Sequence, residues 1–385
     1  MSKNKRLLFI TGTRADFGKL KPLIKKVESE GEFKVNIFAT GMHTLSLYGY
    51  TVREIYNAGF QNVHVLMNQI VGEPMELILA NTISGLARYV RELHPDMIIV
   101  HGDRIEALAG AVVGALNNIL VSHVEGGEVS GTIDELIRHS ISKMSHLHFV
   151  STEEAQGRLL QMGEKPESIF TIGSPDIDVM LSEELPSLEE VRKRYNIQYE
   201  NYGILLFHPV TTEVHDMFRQ AQEVVEAVVE SGFNFVVIFP NNDEGSQEIL
   251  LSYEKLKDKG CFRLFPSLRF EYFLTLLKNA RMILGNSSAG IREAPVYGVP
   301  VVNVGSRQDR RFEHKSIINV PCNSRALLPA IRDAWNTPQR EPILHFGKGD
   351  SSERFFQALR SSKVWETPKQ KVFLDFEKRM DDGFF

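Results

Sequence analysis

At 385 residues the chain is longer than one hydrophobic core usually serves, so two domains are the first expectation. Its 43% hydrophobic and 24% charged residues describe an ordinary globular protein, and a net charge of −5 with both signs interspersed offers no surface for nucleic acid or membrane. Two cysteines, Cys261 and Cys322, exclude a disulfide framework and suit a reducing compartment.

The opening MSKNKRLLFITG has too few apolar residues for a signal-peptide core, and no run approaches the ~18 that a membrane span needs, so the chain is expected in the cytoplasm. Leu7–Ile10 reads as a buried strand, Thr11-Gly12-Thr13-Arg14 as the turn after it, and Lys19–Val27 as a helix. The turn resembles a phosphate loop. However, Gly12 to Gly18-Lys19 is one residue too long for G-x-x-x-x-G-K-[ST], Leu20 replaces the hydroxyl, and G-x-G-x-x-G is absent. This argues against a nucleoside triphosphatase and a nicotinamide enzyme. Arg14 fits an anion contact and equally a surface arginine. A second strand at Val35–Ala39, a mixed segment to Met67 and an amphipathic helix over Leu77–Leu93 follow.

Met97–Val100 and Ile119–Val124 are apolar runs too short for helices, and they flank a helical Asp103–Asn118, giving a βαβ unit with parallel strands. In open parallel sheets the ligand crevice lies beyond the carboxyl ends of the strands. Asp103 and Glu125 stand there, and the Gly126-Gly127 turn lets Asp134, at the start of the next helix, come near. Carboxylates this close cannot all ionise at neutral pH, so an acid and a base arise together. Structural roles compete: Asp103 with Glu106 and Thr132 with Glu135 fit capping boxes, and Asp134 suits a helix macrodipole. Glu125, with no helix directly behind it, fits neither.

Phe149–Val150 and Ile169–Ile172 are further strands around a helix near Glu154–Met162, and Gly173-Ser174-Pro175 leads to Asp176 and Asp178. The polar SEELPSLEEVRKRY marks a domain boundary after residue 182. Ile204–Phe207 then ends at His208, which reads either as a satisfied core histidine or as a site residue at the sheet edge. Phe235–Phe239, Phe262–Phe265, Met282–Leu284 and Val299–Val304 repeat the strand pattern. Gly285-Asn286-Ser287-Ser288-Ala289-Gly290 opens a helix as an anion cradle suited to phosphate, or simply as a serine cap. Glu293 suits the paired hydroxyls of a ribose, and Arg307 suits phosphate charge. Together they point to a nucleoside diphosphate. Two α/β domains, 1–182 and 183–367, thus face a cleft with acids on one side and the cradle on the other, the layout of a nucleotide-sugar enzyme. A helix within residues 368–385 is expected to pack back on the first domain.

The segments ITGTRADFGKL, HGDR, VEGGE, GTIDELIRHSISK, FHPVTTE, GNSSAGIREA and GSRQ, in this order across nearly the whole chain, resemble the hydrolysing UDP-N-acetylglucosamine 2-epimerases of bacterial sialic-acid synthesis. The epimerase half of the animal bifunctional enzyme is similar. The resemblance implies two Rossmann-like domains arranged as in B-type glycosyltransferases (GT-B-like). It also implies hydrolysis of UDP-N-acetylglucosamine (UDP-GlcNAc) to UDP and N-acetylmannosamine (ManNAc). The implied route is elimination to 2-acetamidoglucal and then hydration, which needs one carboxylate as base and another as acid.

By the same resemblance, Asp103, Glu125 and Asp134 are the catalytic carboxylates, with His208 near the diphosphate and sugar. Arg14, Arg104, Ser287, Ser288 and Arg307 are diphosphate contacts, and Glu293 is the ribose contact. Leu268 (through its backbone) and Phe273 form the uracil pocket, and Asp178 is a sugar-side carboxylate. Gly18 replaces the animal enzyme's serine, with Lys19 as the substitute phosphate contact. No cofactor is implied, and the histidine and cysteine spacings offer no metal site. The partners are a UDP-sugar substrate and a second copy of the chain, as a homodimer or dimer of dimers. Competing expectations are the same mechanism on UDP-N,N'-diacetylbacillosamine in legionaminic-acid synthesis, a B-type glycosyltransferase, and a non-catalytic UDP-sugar sensor. Three clustered carboxylates disfavour the last two.

Overall fold

The computed structural model describes residues 5–130, 132–257, 259–308 and 312–375. Short apolar runs followed by turns and amphipathic helices build two parallel sheets. The first contains β1 (Arg6–Thr11), β2 (Lys34–Ala39), β3 (Val63–Val65), β4 (Met97–His101), β5 (Leu120–Val124), β6 (Leu147–Val150) and β7 (Ile169–Thr171) in the order β3-β2-β1-β4-β5-β6-β7. The second contains β8 (Gly203–Leu206), β9 (Phe235–Ile238), β10 (Phe262–Phe265), β11 (Met282–Gly285), β12 (Val301–Val304) and β13 (Ile317–Val320) in the order β10-β9-β8-β11-β12-β13. Helices on both faces bury the central strands β4 and β5 completely, which is why these read as unbroken apolar runs.

In each sheet the strand order reverses beside the first strand, between β1 and β4 and between β8 and β11. Chains leaving the two sides of such a point diverge, and a crevice opens at the carboxyl ends. The expected two-domain α/β architecture is the one observed. No helix among the described residues is long and apolar enough to cross a membrane.

The return of the chain corrects the expected division. Phe355, Phe356 and Leu359 of the Ser351–Arg360 helix, with Val364 of the Ser362–Trp365 helix, are buried in the core of the first sheet with Leu7, Phe9 and Phe149. The crossing back therefore starts before residue 351, not at 368. Residues 368–375 are irregular rather than helical. Pro368 disfavours a helical residue before it. The segment bonds to the first domain instead: the Lys369 carbonyl accepts from His146 Nε2 at 2.9 Å, and Lys371 donates to the Ser145 carbonyl and to Glu164, each at 2.6 Å. The rest of the expected helix, 376–385, lies outside the described residues.

Candidate active site

The carboxyl ends of the two sheets face one another across a cavity of about 290 Å³. Arg14, Lys19, Asp103, Arg104, Glu125 and Asp134 line it from the first domain, and His208, Leu268, Phe273, Ser287, Ser288, Glu293 and Arg307 from the second. Asp178 is not among them. Its carboxylate accepts from the backbone N–H groups of Ser351 and Ser352 at 2.9 and 2.8 Å, at the start of the return helix. Residues two apart on a helix do not share a face, and it is Asp176 that turns inward, 2.9 Å from Lys19. The expected sugar-side role for Asp178 is corrected accordingly.

Asp103 leaves β4 beyond Gly102, whose φ of 69° turns the chain, and its carboxylate meets the buried guanidinium of Arg138. Arg104, not Asp103, stands at the N-cap of the Ile105–Leu116 helix and makes no side-chain cap bond, and Glu106 packs against Gly12 and Gly41. Thr132 does cap the Ile133–Met144 helix, and Glu135 accepts from the Ser130 N–H at 2.7 Å. Asp134 turns from that helix to Arg307, at 2.9 Å. Arg138, four residues on along the same helix, also donates to the Glu128 carbonyl at 3.2 Å and so ties this helix to Asp103 and the β5 loop.

Glu125 adopts φ 65°, a left-handed conformation that costs a non-glycine residue about 1–2 kcal/mol. Its carboxylate accepts from Ser174 and from Arg292 Nη2 at 2.7 Å, and lies 3.2 Å from His101 Nε2. Burial opposes its charge, but Arg292, Lys19 and His101 outweigh burial and hold it well below the usual carboxylate range. His101 reaches Asp16 through Nδ1 at 2.8 Å. Burial likewise opposes the imidazolium, yet Glu125 and Asp16 lift its pKa to about 9. Asp134 moves the other way: burial raises it and the neighbouring Asp103 and Asp243 add to this, against Arg307. The carboxyls thus divide into a firm anion and a group that keeps a proton more readily.

His208 is neutral. Burial lowers its pKa well below normal, and Arg307 and Arg104 lower it further. Its Nδ1 accepts from the Asn241 N–H at 3.0 Å, which leaves the ring proton on Nε2. Several cations bridge the domains. Arg14 donates to Ser267 Oγ at 2.9 Å, and Arg104 donates to Asn242 and Asp243 at 2.9 and 3.0 Å. Lys19, buried between Asp176 and Glu293 (3.1 Å), is engaged with the expected ribose carboxylate rather than open as a phosphate contact. Gly18 is where the Arg14–Glu30 helix meets the second domain, since a Cβ there would lie 2.4 Å from Phe270 Cβ. In the cradle, Ser287 accepts from the Ala289 N–H at 3.3 Å. Gly285 permits it: at φ 137°, any Cβ would fall 2.0 Å from the Leu206 carbonyl oxygen.

His101, Asp16, Arg138 and Arg292 also line the cavity, and the sequence reading does not single them out; Asp176 stands behind it, paired with Lys19. The signals lie in HGDR at a strand end, in DELIRH with its i, i+4 spacing and in SAGIRE, but the first also reads as a turn and the other two as solvated helix charges. Among the described residues, no group of three or more His, Cys, Asp or Glu is arranged to hold a metal ion.

Residues 25–360 match the protein family described as UDP-N-acetylglucosamine 2-epimerase. The chain belongs to that family. It is 51% identical over 375 residues to the UDP-N-acetylglucosamine 2-epimerase of Neisseria meningitidis serogroup B, covering 96% of this chain and 99% of that one. It is 34% identical to the hydrolysing UDP-N,N'-diacetylbacillosamine 2-epimerase of Legionella pneumophila, over 93% and 96% of the two chains. The solved UDP-GlcNAc 2-epimerase of Methanocaldococcus jannaschii, in complex with UDP-GlcNAc and UDP, shares the fold at TM-score 0.79 and 24% identity, over 92% of this chain and 99% of that one.

Proposed function

We propose that the protein is a hydrolysing UDP-GlcNAc 2-epimerase that releases UDP and ManNAc for sialic-acid synthesis in the cytoplasm. The observation that carries the reading is the meeting of two half-sites, with the acids of one domain and the cradle of the other lining one cavity and joined through Arg307 and Asp134. The 51% identical N. meningitidis relative supports the substrate, and a polysialic acid biosynthesis protein of Escherichia coli, 32% identical over 383 residues, supports the pathway.

The chemistry follows from the residue types. The C2 proton of the sugar is barely acidic, because no carbonyl adjoins it. Departure of UDP from C1 builds positive charge on the ring and makes that proton removable. Arg307, the cradle and the Nε2–H of His208 stabilise the leaving diphosphate. Asp103 takes the C2 proton while the fixed anion of Glu125 steadies the cationic ring, giving 2-acetamidoglucal and UDP. Asp134 then delivers a proton to the opposite face of C2 and water adds at C1, losing its second proton to solvent, which gives ManNAc; Asp103 gives up its proton and Asp134 regains one to restore the starting state.

Incubation with UDP-GlcNAc in heavy water tests this reading. It requires UDP release together with deuterium at C2 of free ManNAc; UDP release without C2 exchange overturns it. The Legionella relative favours a second substrate, UDP-N,N'-diacetylbacillosamine, and turnover confined to that sugar would replace the first.

A further inference from the structure

Residues 292 and 293 are adjacent in the second domain, and each exchanges charge with the first. Arg292 Nη2 donates to Glu125 Oε1 at 2.7 Å and to Ser174 Oγ at 2.6 Å, and its Nη1 lies 3.4 Å from Glu128. Glu293 receives Lys19 from the first domain at 3.1 Å. The Arg292 side chain is only 1% exposed, and its guanidinium lies 4.8 Å from the centre of the Phe346 ring, on the returning segment. A guanidinium so enclosed is fixed in direction, so its Nη2 holds Glu125 Oε1 by a charge-assisted hydrogen bond while Nη1 is turned towards Glu128.

We infer that Arg292 is a positioning residue for Glu125, delivered by the UDP-side domain, so that this carboxylate takes up its working geometry only when the two domains are together. This deepens the proposed function and rests on it for its kinetic consequences. Lys19 and His101 also face Glu125 from the first domain, and Asp16 lies behind His101, 2.8 Å from its Nδ1. Glu128, Asp176 and Glu293 face Arg292. Without the guanidinium, Glu125 keeps Lys19 and His101 but loses its strongest hydrogen-bond donor, and the uncompensated charge of Glu128 lies close by. The carboxylate then becomes harder to ionise and free to turn.

Arg292→Gln retains a donor without the charge, and Arg292→Lys retains the charge without the fork. The glutamine variant should lower kcat about a hundredfold, the size of losing one transition-state charge stabiliser, with UDP affinity by calorimetry changed less than about threefold. The acidic limb of its kcat–pH profile should move up by about one unit, and the lysine variant should recover about tenfold of the loss. Combined with Glu125→Gln, the two losses should not multiply. A kcat within about threefold of the parent, a loss expressed in KM or UDP affinity alone, an unmoved acidic limb or fully multiplying losses would each overturn the inference. If the parent protein has no activity on UDP-GlcNAc, the proposed function fails, and the inference is judged without substrate. With 13C-labelled glutamate carboxyls, and Glu125→Gln to identify the signal, Glu125 should titrate higher in Arg292→Gln than in the parent; equal titration overturns it.

Discussion

Glu125 and Asp134 are both carboxyls of the first domain that line the cleft, yet Arg292, Lys19 and His101 hold the first firmly ionised, while burial and the neighbouring Asp103 and Asp243 leave the second prone to hold a proton against Arg307. If that division is what drives turnover, neutralising either side of the acid cluster should be severe. Asp103→Asn and Glu125→Gln are each expected to lower kcat by about two to four orders of magnitude while UDP still binds; near-normal turnover in a UDP-release assay would remove the assignment. The buried histidines set the pH range of the fold. Burial lowers His43 to about 4 and His123 to about 3, so both stay neutral when folded. As pH falls from about 6.5 towards 4, the unfolded chain binds protons that the folded one does not, and stability drops by up to ~1.4 kcal/mol per group and pH unit. His101, raised to about 9, acts in the opposite sense: its contribution is complete below about 6.5 and is lost as pH rises through 9. Urea midpoints at pH 4.5, 7 and 9.5 should therefore peak at the middle value, and a flat profile would contradict these environments.

At the level of elements, strands buried on both faces were legible because burial forces an unbroken apolar run. β3 and β13 were not. They lie at sheet edges, and their sequences, Val-His-Val and Ile-Ile-Asn-Val, carry partly exposed positions that break the run. The acids at strand ends were legible for the same reason, since an apolar run stopping at a carboxylate marks the crevice. Their partners were not, because Asp16 and Arg138 sit on helices and Arg292 directly follows one, where a charge most often faces water. Asp176 and Asp178 show the limit sharply: both are acids in one short helix, and only its orientation decides which of them meets Lys19 behind the site. Glycines offer a test of sign at this scale. Gly285→Ala should destabilise by about 2 kcal/mol and weaken UDP binding, since its Cβ would meet the Leu206 carbonyl at 2.0 Å. Gly157→Ala, in the Glu153–Gln161 helix with nothing within 4 Å of its Cβ, should stabilise by about 0.5–1 kcal/mol. Urea denaturation distinguishes the two, and equal effects would refute the account of the cradle backbone.

Across the whole molecule, the two sheets are not closed by consecutive halves of the chain. An amphipathic pattern says that the Ser351–Arg360 helix buries one face, but not against which sheet, and chain order alone assigns it to the second. Its phenylalanines answer otherwise: the Phe355 ring lies 4.7 Å from that of Phe149 and 6.4 Å from that of Phe9. The last described elements therefore complete the core around the first strand. Phe355→Ala should remove about 3–5 kcal/mol, the usual effect of emptying a buried aromatic site. That loss should fall on the sheet most distant from it in sequence. Hydrogen exchange of the amides in β1 and β6 should accelerate, while β8 and β11 in the second sheet stay protected, because local opening follows packing rather than chain order. Acceleration confined to the second sheet, or none in either, would mean that the returning helix does not seal the first domain, and that the early and late parts of the chain fold independently.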